Sequence, residues 1–286
     1  MQECTVIAEI GGNHKGNFEV AKEMIRTAKL FCGVDVIKFQ KRTNKELLSE
    51  AEYNAPHPNP HNSYGETYGA HREFLEFSKD QHAELYRFCT EVGIEYSTSV
   101  WDLTAAKEIV SINPRLIKIP SATNLRFDVL EYLTDHYSGE IHISLGMTTK
   151  EEERKIVDFL VAKGRAKDTV LYSCTSGYPV EPEDMALLEI TRLKKAYDGV
   201  VKSIGFSGHH LGTALDIAAY TLGATHIERH FTLNRAWKGT DHSASLEPDA
   251  LRKLVKDLDA TQKALSYKAQ DILDVEAVQR KKLKKI

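Results

Sequence analysis

The sequence has few cysteines and no cysteine pair of the kind that binds metal or performs redox chemistry. Its 286 residues include four cysteines, and none of them forms a C-x-x-C motif. Cys4, Cys32, Cys89 and Cys174 stand far apart, each within an apolar run. We therefore expect small buried thiols in a reducing compartment.

An excess of charge and a long apolar run are also missing. Lys and Arg total 38 and Asp and Glu total 41, so the formal net charge is −3. This balance gives no electrostatic reason to expect a nucleic-acid partner. The start, MQECTVIAEIGG, lacks the basic and apolar regions of a signal peptide, and no apolar stretch has the length of a membrane span. We expect a cytoplasmic protein without a membrane or nucleic-acid partner.

Short apolar runs alternate with stretches whose apolar residues recur every three or four positions, which is the pattern of alternating strands and helices. The predicted strands are residues 5–11, 34–40, 94–100, 115–121, 140–146, 169–176, 202–208 and 224–231. The clearest predicted helices are residues 20–31, 152–164, 184–197 and 249–265.

Eight strands, each followed by a helix, are typical of a parallel sheet with helices outside it. The length fits one unit of this kind, and eight repeats favour closure into a barrel. The predicted fold is therefore an α/β protein, a single-domain (β/α)₈ TIM barrel over residues 1–267. Residues 268–286, which end in QRKKLKKI, are predicted to be a basic C-terminal tail with a solvated surface.

Residues 43–79 interrupt this rhythm after the second strand. The segment is rich in Pro, His, Asn and Tyr, as in NAPHPNPHNSYGETYGAH. A loop of this length inside a compact domain is usually either functional or disordered. We expect its central part, residues 57–72, to cover the active site.

Polar side chains stand at the end of nearly every predicted strand, which is where the active site of such a barrel forms. Lys38 and Lys118 lie inside apolar strands, where an unpaired lysine is rarely buried. Two lysines beside several hydroxyl groups predict a site for a doubly anionic ligand such as phosphoenolpyruvate. A Schiff-base lysine, as in an aldolase, and a structural salt bridge are the alternatives.

His209 and His230 end neighbouring strands, so their imidazoles can converge on one cation. Two histidines without a tight motif are more often structural, but their matched positions favour a divalent metal. Asp241 and Glu228 are candidates for further ligands or for groups that orient the histidines.

Several runs resemble the sialic acid (N-acetylneuraminate) synthase family, in order and over nearly the whole barrel. They are AEIGGNHKGN (8–17), VIKFQ (36–40), KIPS (118–121), SLGM (144–147), CTSGYP (174–179), GFSGHH (205–210), ERHFTL (228–233) and GTDHSASLEP (239–248). The resemblance implies a transferase that joins phosphoenolpyruvate to an open-chain aldose. Its product would be a 2-keto-3-deoxy sugar acid of the nonulosonate type, with phosphate released.

The resemblance also implies a role for each matched residue. Glu9 would be the catalytic carboxylate, with Lys38 and Gln40 beside it. His209 and His230 would bind the metal, with Mn²⁺ expected and Mg²⁺ or Co²⁺ as alternatives. The expected phosphoenolpyruvate ligands are Lys38, Thr98, Lys118, Ser121, Ser144 and Ser207, and the expected sugar contacts are Thr123, Ser176, Tyr178 and Asp241.

The sugar-facing positions depart from the family pattern. Thr123 replaces an acidic residue, Ser176 replaces an asparagine, and family members continue into a C-terminal antifreeze-like domain that would begin near Ile286. We therefore expect an altered aldose, and a homodimer by analogy. The alternatives are a synthase of the 3-deoxy-octulosonate or heptulosonate phosphate type, for which Arg42, Arg72 and Arg126 could bind the phosphate, and a non-catalytic sugar-phosphate-binding barrel.

Overall fold

A closed barrel of eight parallel strands forms the centre of the computed structural model, which describes residues 4–285. The strands are β1 (Thr5–Glu9), β2 (Val36–Lys41), β3 (Glu95–Val100), β4 (Leu116–Ile119), β5 (Glu140–Ser144), β6 (Thr169–Cys174), β7 (Ser203–Gly208) and β8 (His226–His230). Each strand pairs with the next in sequence, and β8 pairs with β1 to close the barrel. The predicted (β/α)₈ fold is confirmed.

Four predicted strands extend two residues too far at their carboxyl ends. β1 ends at Glu9, β4 at Ile119, β5 at Ser144 and β6 at Cys174. The chain leaves the ladder there because the next residues turn away, at Gly11 with a φ of +52° and at Pro120, which has no N–H to donate. These departures create the loops that surround the barrel mouth.

Twelve α-helices lie within the described residues. They are α1 (Phe18–Arg26), α2 (Asn44–Leu47), α3 (Glu50–Asn54), α4 (Tyr68–Leu75), α5 (Lys79–Val92), α6 (Leu103–Ile112), α7 (Phe127–His136), α8 (Lys150–Ala162), α9 (Leu188–Tyr197), α10 (Ala214–Thr221), α11 (Pro248–Ala264) and α12 (Asp274–Leu283). Side-chain caps begin many of them, such as the Thr149–Glu152 capping box of α8.

Two helix predictions need correction. The predicted helix 20–31 begins earlier, at Phe18, and continues after α1 as a π-helical turn, Thr27–Cys32. The predicted helix 184–197 does not start at its Pro-Glu-Asp signal, which forms only a short 3₁₀ turn, Pro182–Asp184. The α-helix begins four residues later, at Leu188. A proline signal marks where the chain can turn, but the tertiary contacts decide which turn becomes the helix.

Apolar side chains form two layers of core. The larger layer packs the outer face of the strands against the helices. The smaller layer fills the inside of the barrel and contains Ile7, Val36, Leu116, Val170 and Tyr172. A Cβ atom on Gly205 would lie 2.6 Å from the Tyr172 ring, so this position needs a glycine. The inner layer closes the bottom of the barrel, so open space inside it remains near the carboxyl ends of the strands.

The segment 43–79 is folded, with helices α2, α3 and α4 inside it. Gly69 in α4 packs against the ring of Tyr53, and a Cβ there would lie 2.4 Å from that ring. The predicted tail 268–286 contains α12, in which no residue is buried. Within residues 4–285, no helix combines the length and apolar character needed to cross a bilayer.

Candidate active site

A cavity of about 600 Å³ opens at the carboxyl ends of the strands. Alternate residues of a strand face the barrel interior, so the inward positions near the strand ends line this cavity. Twelve of the fourteen site residues predicted from the sequence lie in its wall: Glu9, Lys38, Gln40, Lys118, Ser121, Ser144, Ser176, Tyr178, Ser207, His209, His230 and Asp241. Residues from all parts of the chain therefore meet in one site.

Two predicted site residues, Thr98 and Thr123, are absent from the cavity wall. Thr98 lies two residues after Tyr96, whose ring packs into the outer core, so both side chains face outward from β3. Its neighbour Ser99 faces the cavity instead. Thr123 closes the 3₁₀ turn Ser121–Thr123, and this turn presents Ser121 and Ala122 to the cavity.

Buried lysines and glutamates form a charge network at the cavity floor. Lys118 Nζ lies 2.5 Å from Glu228 Oε1, which also accepts a hydrogen bond of 3.0 Å from Ser207 Oγ. Lys38 Nζ contacts Glu9 Oε2 and lies 3.9 Å from Glu228 Oε2. Each lysine therefore has a glutamate as its partner before a ligand binds.

Burial alters the acid–base behaviour of this network. It lowers the pKa of Lys38 to about 7, although Glu228 partly opposes the shift. Burial also raises the pKa of Asp241 above its usual value. A Cβ atom on Gly11 would lie 3.1 Å from Glu9 Oε1 and 3.7 Å from Asp241 Oδ2. The glycine at this turn therefore lets both carboxylates approach the same side of the cavity.

His209 and His230 are brought together as predicted. Their ring centroids lie 5.4 Å apart, and the Tyr178 ring lies 4.4 Å from that of His209. His209 Nδ1 lies 2.9 Å from the carbonyl oxygen of Thr175, to which it must donate, so Nε2 is the nitrogen left to bind a metal.

The two imidazoles fit a divalent metal ion. Burial, reinforced by His209, holds the pKa of His230 well below its usual value, so its ring stays neutral. Its Nδ1 is buried without a hydrogen-bond partner among the described residues. Two imidazoles near carboxylates are ligands that suit Mn²⁺, Co²⁺ or Zn²⁺, and an orphaned buried nitrogen is consistent with metal binding.

A second group of histidines lies at the opposite end of the barrel. The possible ligand atoms of Glu140, His142 and His226 all lie within 4.8 Å of one another. They belong to the starting halves of β5 and β8, away from the cavity. Arg115 Nη1 and Lys202 Nζ each lie 2.8 Å from the Glu140 carboxylate, so protein cations already compensate its charge.

The folded segment 43–79 forms one wall of the cavity, as expected of its central part. His57, Tyr64, Tyr68, His71 and Arg72 all line it. The rings of His57 and His71 lie 4.4 Å apart, and Tyr64 stacks on Phe74 at 5.0 Å. The Tyr64 hydroxyl donates to the carbonyl oxygen of Lys238, which joins the segment to the loop after β8. The cavity is therefore walled on this side by the chain itself.

Sequence reasoning missed Ser99 and Trp101 as members of the site and named Arg42 and Arg72 only as alternatives. All four line the cavity. The alternation Lys38, Gln40, Arg42 along β2 was a usable signal, since every second residue shares one face. Cys174 also lines the cavity, with its thiol 3.8 Å from Ser121 Oγ, so it is more than a core thiol.

Comparison with known proteins shows relatives over nearly the whole chain. The sequence profile of the NeuB family matches residues 24–270. Human N-acetylneuraminate-9-phosphate synthase is 39% identical over 99% of this chain and 77% of its own length. N,N'-diacetyllegionaminic acid synthase of Campylobacter jejuni is 30% identical over 93% of this chain and 78% of its own length.

A solved structure agrees with these matches. The sialic acid synthetase of Leptospira borgpetersenii, crystallised with citrate, superposes with a TM-score of 0.81 at 26% identity. The match covers 99% of this chain and 93% of that one. The predicted resemblance to sialic acid synthases is thereby confirmed, and the chain is an enzyme that belongs to the NeuB family.

Proposed function

We propose that this enzyme condenses phosphoenolpyruvate with an open-chain aldose to give a 2-keto-3-deoxy sugar acid of the nonulosonate type, and that it releases phosphate. The observation that carries the proposal is the convergence of two buried lysines, two histidines and three carboxylates on one cavity. The relatives named above make N-acetylneuraminate 9-phosphate, sialic acid and diacetyllegionaminic acid. All three are products of one kind of synthase.

The lysine end of the cavity suits phosphoenolpyruvate. Lys38 on β2 and Lys118 on β4 both line the cavity, as do the hydroxyls of Ser144 and Ser207. Gly146 allows two further hydroxyls to converge, since a Cβ there would lie 2.6 Å from Ser121 Oγ. Because Glu9 and Glu228 already neutralise both lysines, a trianionic ligand needs an added positive charge. A divalent metal beside the ligand would supply it.

His209 and His230 would hold that metal, with Mn²⁺ expected and Mg²⁺ or Co²⁺ as alternatives. When bound there, a divalent ion supplies Lewis acidity to the aldehyde oxygen of the sugar. The neutral state of His230 favours this role, because a protonated imidazole cannot ligate a metal. Thr175 fixes the ring orientation of His209 through its carbonyl oxygen.

The reaction forms a bond between C3 of phosphoenolpyruvate and the aldehyde carbon, which leaves positive charge at C2. Glu9 is the carboxylate proposed to stabilise that charge, and Lys38 holds its side chain in place. Water then adds at C2, and Glu9 takes from it a proton that goes on to the alkoxide formed from the aldehyde oxygen. The second proton of the water leaves as the C2–O bond to the phosphate breaks, so a keto group forms and phosphate is released. Lys38 and Lys118 orient the phosphate group that leaves.

The sugar would occupy the outer half of the cavity. Tyr178, Ser176 and Asp241 line that half together with Gln40 on β2. Thr123 is left out of this set because it lies outside the cavity wall. The altered residues favour an aldose related to N-acetylmannosamine. The relatives include both a 9-phosphate product and a product without phosphate.

The test is phosphate release from phosphoenolpyruvate with Mn²⁺, over a panel of free and 6-phosphorylated hexoses and hexosamines and of pentose phosphates. We expect release with one hexosamine class, and loss of release with a chelator or in His230→Ala. Release with pentose phosphates alone would favour the octulosonate-type reaction. If the protein binds metal but no sugar supports phosphate release, the condensation proposal fails for the aldoses tested. If the protein binds no metal and releases no phosphate, the non-catalytic sugar-phosphate-binding barrel is favoured.

A further inference from the structure

Two arginines meet at the outer end of the cavity, away from the lysine floor. The guanidinium carbon of Arg42 lies 5.6 Å from the centroid of the Trp101 ring, and that of Arg72 lies 5.8 Å from the same centroid. Arg42 follows β2, whereas Arg72 belongs to α4 in the folded segment 43–79. Trp101 thus holds together two cations from distant parts of the chain.

The two guanidinium groups share one close carboxylate. Arg42 Nε lies 2.5 Å from Glu76 Oε1, and its backbone N–H donates to Glu76 Oε2 at 3.0 Å. Arg42 Nη2 and Arg72 Nε are buried and have no hydrogen-bond partner among residues 4–285. Asp241 also interacts electrostatically with Arg42, but the two buried guanidinium donors stay unused, so this end of the cavity can accept a further anion.

Mutual repulsion also acts on this pair. Burial, reinforced by Arg42, lowers the pKa of Arg72 from its usual value. The neighbouring His71 accepts the backbone N–H of Tyr64 at Nδ1, so its neutral ring carries a proton on Nε2. An anion in this position would relieve the repulsion between the arginines, and His71 offers one more donor in the same wall.

Strand β2 sets the distance between the two charged ends. Lys38 and Gln40 occupy alternate positions on β2, Arg42 is the first residue after the strand, and all three line the cavity. Four residues of a strand span about 13 Å. This distance places one anion at the lysines and a second anion at the arginines, with Gln40 between them to meet sugar hydroxyls.

We propose that Arg42 and Arg72 form a subsite for a phosphate on the terminal carbon of the aldose. The inference rests on the proposed condensation and names its substrate class, a 6-phosphorylated hexose derivative. Phosphate is the anion that matches two planar guanidinium forks, because each fork can bind two oxygens. A sugar without phosphate would leave both arginines unpaired, and the enzyme would therefore bind it less tightly.

The experiment compares turnover of a 6-phosphorylated hexosamine with turnover of the same hexosamine without phosphate. Arg72→Gln and Arg42→Gln are expected to lower kcat/KM for the phosphorylated sugar by about 10- to 100-fold. The loss for the free sugar should be several-fold smaller, because that sugar has no phosphate for the arginines to bind. Arg72→Lys, which keeps the charge, should recover part of the loss. Arg126→Gln is the matched control, since Arg126 pairs with Asp128 at 2.6 Å outside the cavity wall.

A binding measurement separates this proposal from the proposed function. Hexitol 6-phosphate has no aldehyde and cannot be condensed, so its effect on the melting temperature reports the subsite alone. One outcome is that hexitol 6-phosphate raises the melting temperature of the wild type but not of Arg72→Gln, while no aldose is turned over. This outcome would support the subsite and reject the condensation. Equal losses for both sugars, or no effect of either arginine on turnover and binding, would overturn the subsite. Arg72 has no ion pair as close as the one between Arg42 and Glu76. Arg72→Gln is therefore expected to disturb the fold less than Arg42→Gln.

Discussion

Histidines and glutamates cluster at both ends of this barrel, yet the two clusters differ in how their charges are compensated. At the amino-terminal end, Glu140 is held by Arg115 and Lys202, and its Oε2 lies 3.5 Å from His142 Nε2. His142 Nδ1 in turn lies 2.8 Å from the Tyr172 hydroxyl. Protein cations therefore compensate the charge of Glu140, although Glu140 Oε2 and His142 Nε2 are themselves buried without a hydrogen-bond partner among residues 4–285.

At the carboxyl end, the protein leaves donors and acceptors unused. His230 Nδ1, Ser176 Oγ, Arg42 Nη2 and Arg72 Nε are buried without hydrogen-bond partners in the part of the chain that the structure describes. Leaving such atoms unpaired costs free energy, so a ligand is the usual explanation. Buried unpaired atoms occur in both clusters, so the feature that separates them is the cavity. Its wall includes the four carboxyl-end residues but none of Glu140, His142 and His226.

Tyr172 divides the two ends. Its hydroxyl bonds with His142 below, and its ring lies 4.2 Å from Lys118 Nζ above. Burial, with Glu228 nearby, raises the pKa of this phenol well above its usual value, so the hydroxyl stays protonated. A neutral partition of this kind allows the two clusters to be altered separately.

The largest expected difference between the two ends is in catalysis. Glu9→Gln should lower kcat by roughly 10²- to 10⁴-fold, because a carboxylate that moves a proton in the reaction is lost. Glu140→Gln makes the same chemical change at the other end and should keep kcat within about twofold. Phosphate release under saturating substrates measures both. Full turnover in Glu9→Gln would contradict the assigned role.

The next difference concerns stability. Glu140→Gln leaves Arg115 and Lys202 without their shared carboxylate and should lower the free energy of unfolding by about 1 kcal/mol, since both cations are partly exposed. Urea titration measures the change, and Lys155→Gln, which breaks an exposed pair with Glu151, is the control with a smaller effect. An unchanged free energy of unfolding in Glu140→Gln would mean that the ion pairs of Glu140 do not stabilise the fold.

Acid should weaken the amino-terminal end through His226. Burial, with His142 beside it, lowers the pKa of His226 to about 3. Between pH 6.5 and 3 the unfolded chain binds a proton that the folded chain refuses, so the free energy of unfolding falls as the pH falls. The slope is up to about 1.4 kcal/mol per pH unit for one proton.

Urea titration at several pH values tests this linkage. His226→Gln should reduce the slope in that window, whereas His61→Gln, at an exposed position, should not. Identical slopes in the wild type and His226→Gln would show that His226 titrates alike in both states.

The smallest expected effect distinguishes the two faces of one strand. Thr98→Val should leave kcat and the KM for phosphoenolpyruvate within about twofold, because Thr98 faces the outer core. Ser99→Ala should raise the KM for the aldose several-fold, since Ser99 Oγ accepts a hydrogen bond of 3.3 Å from Trp101 Nε1. Steady-state kinetics measures both variants. A rise in the KM for phosphoenolpyruvate in Thr98→Val would restore the sequence-based assignment.

The alternation of strands and helices was predictable from the sequence because burial on both faces leaves continuous apolar runs, as at Val6–Ala8. The ends of those runs were less predictable. β4 stops at Ile119 because Pro120 offers no donor, and a run of apolar letters does not show this by itself. The predicted start of helix 184–197 was wrong for a related reason, because the Pro-Glu-Asp signal forms a 3₁₀ turn instead.

The sequence by itself determined the eightfold repeat, the family and the polar character of the strand ends. Local periodicity and ordered motifs carry that information, and neither depends on which distant side chains meet. Only the tertiary structure decided that Ser99 rather than Thr98 faces the cavity, because barrel closure sets the inward face of β3. It also decided that Arg42 and Arg72 meet across Trp101, since that contact joins a strand end to a helix thirty residues away and exists only when the segment 43–79 folds over the barrel.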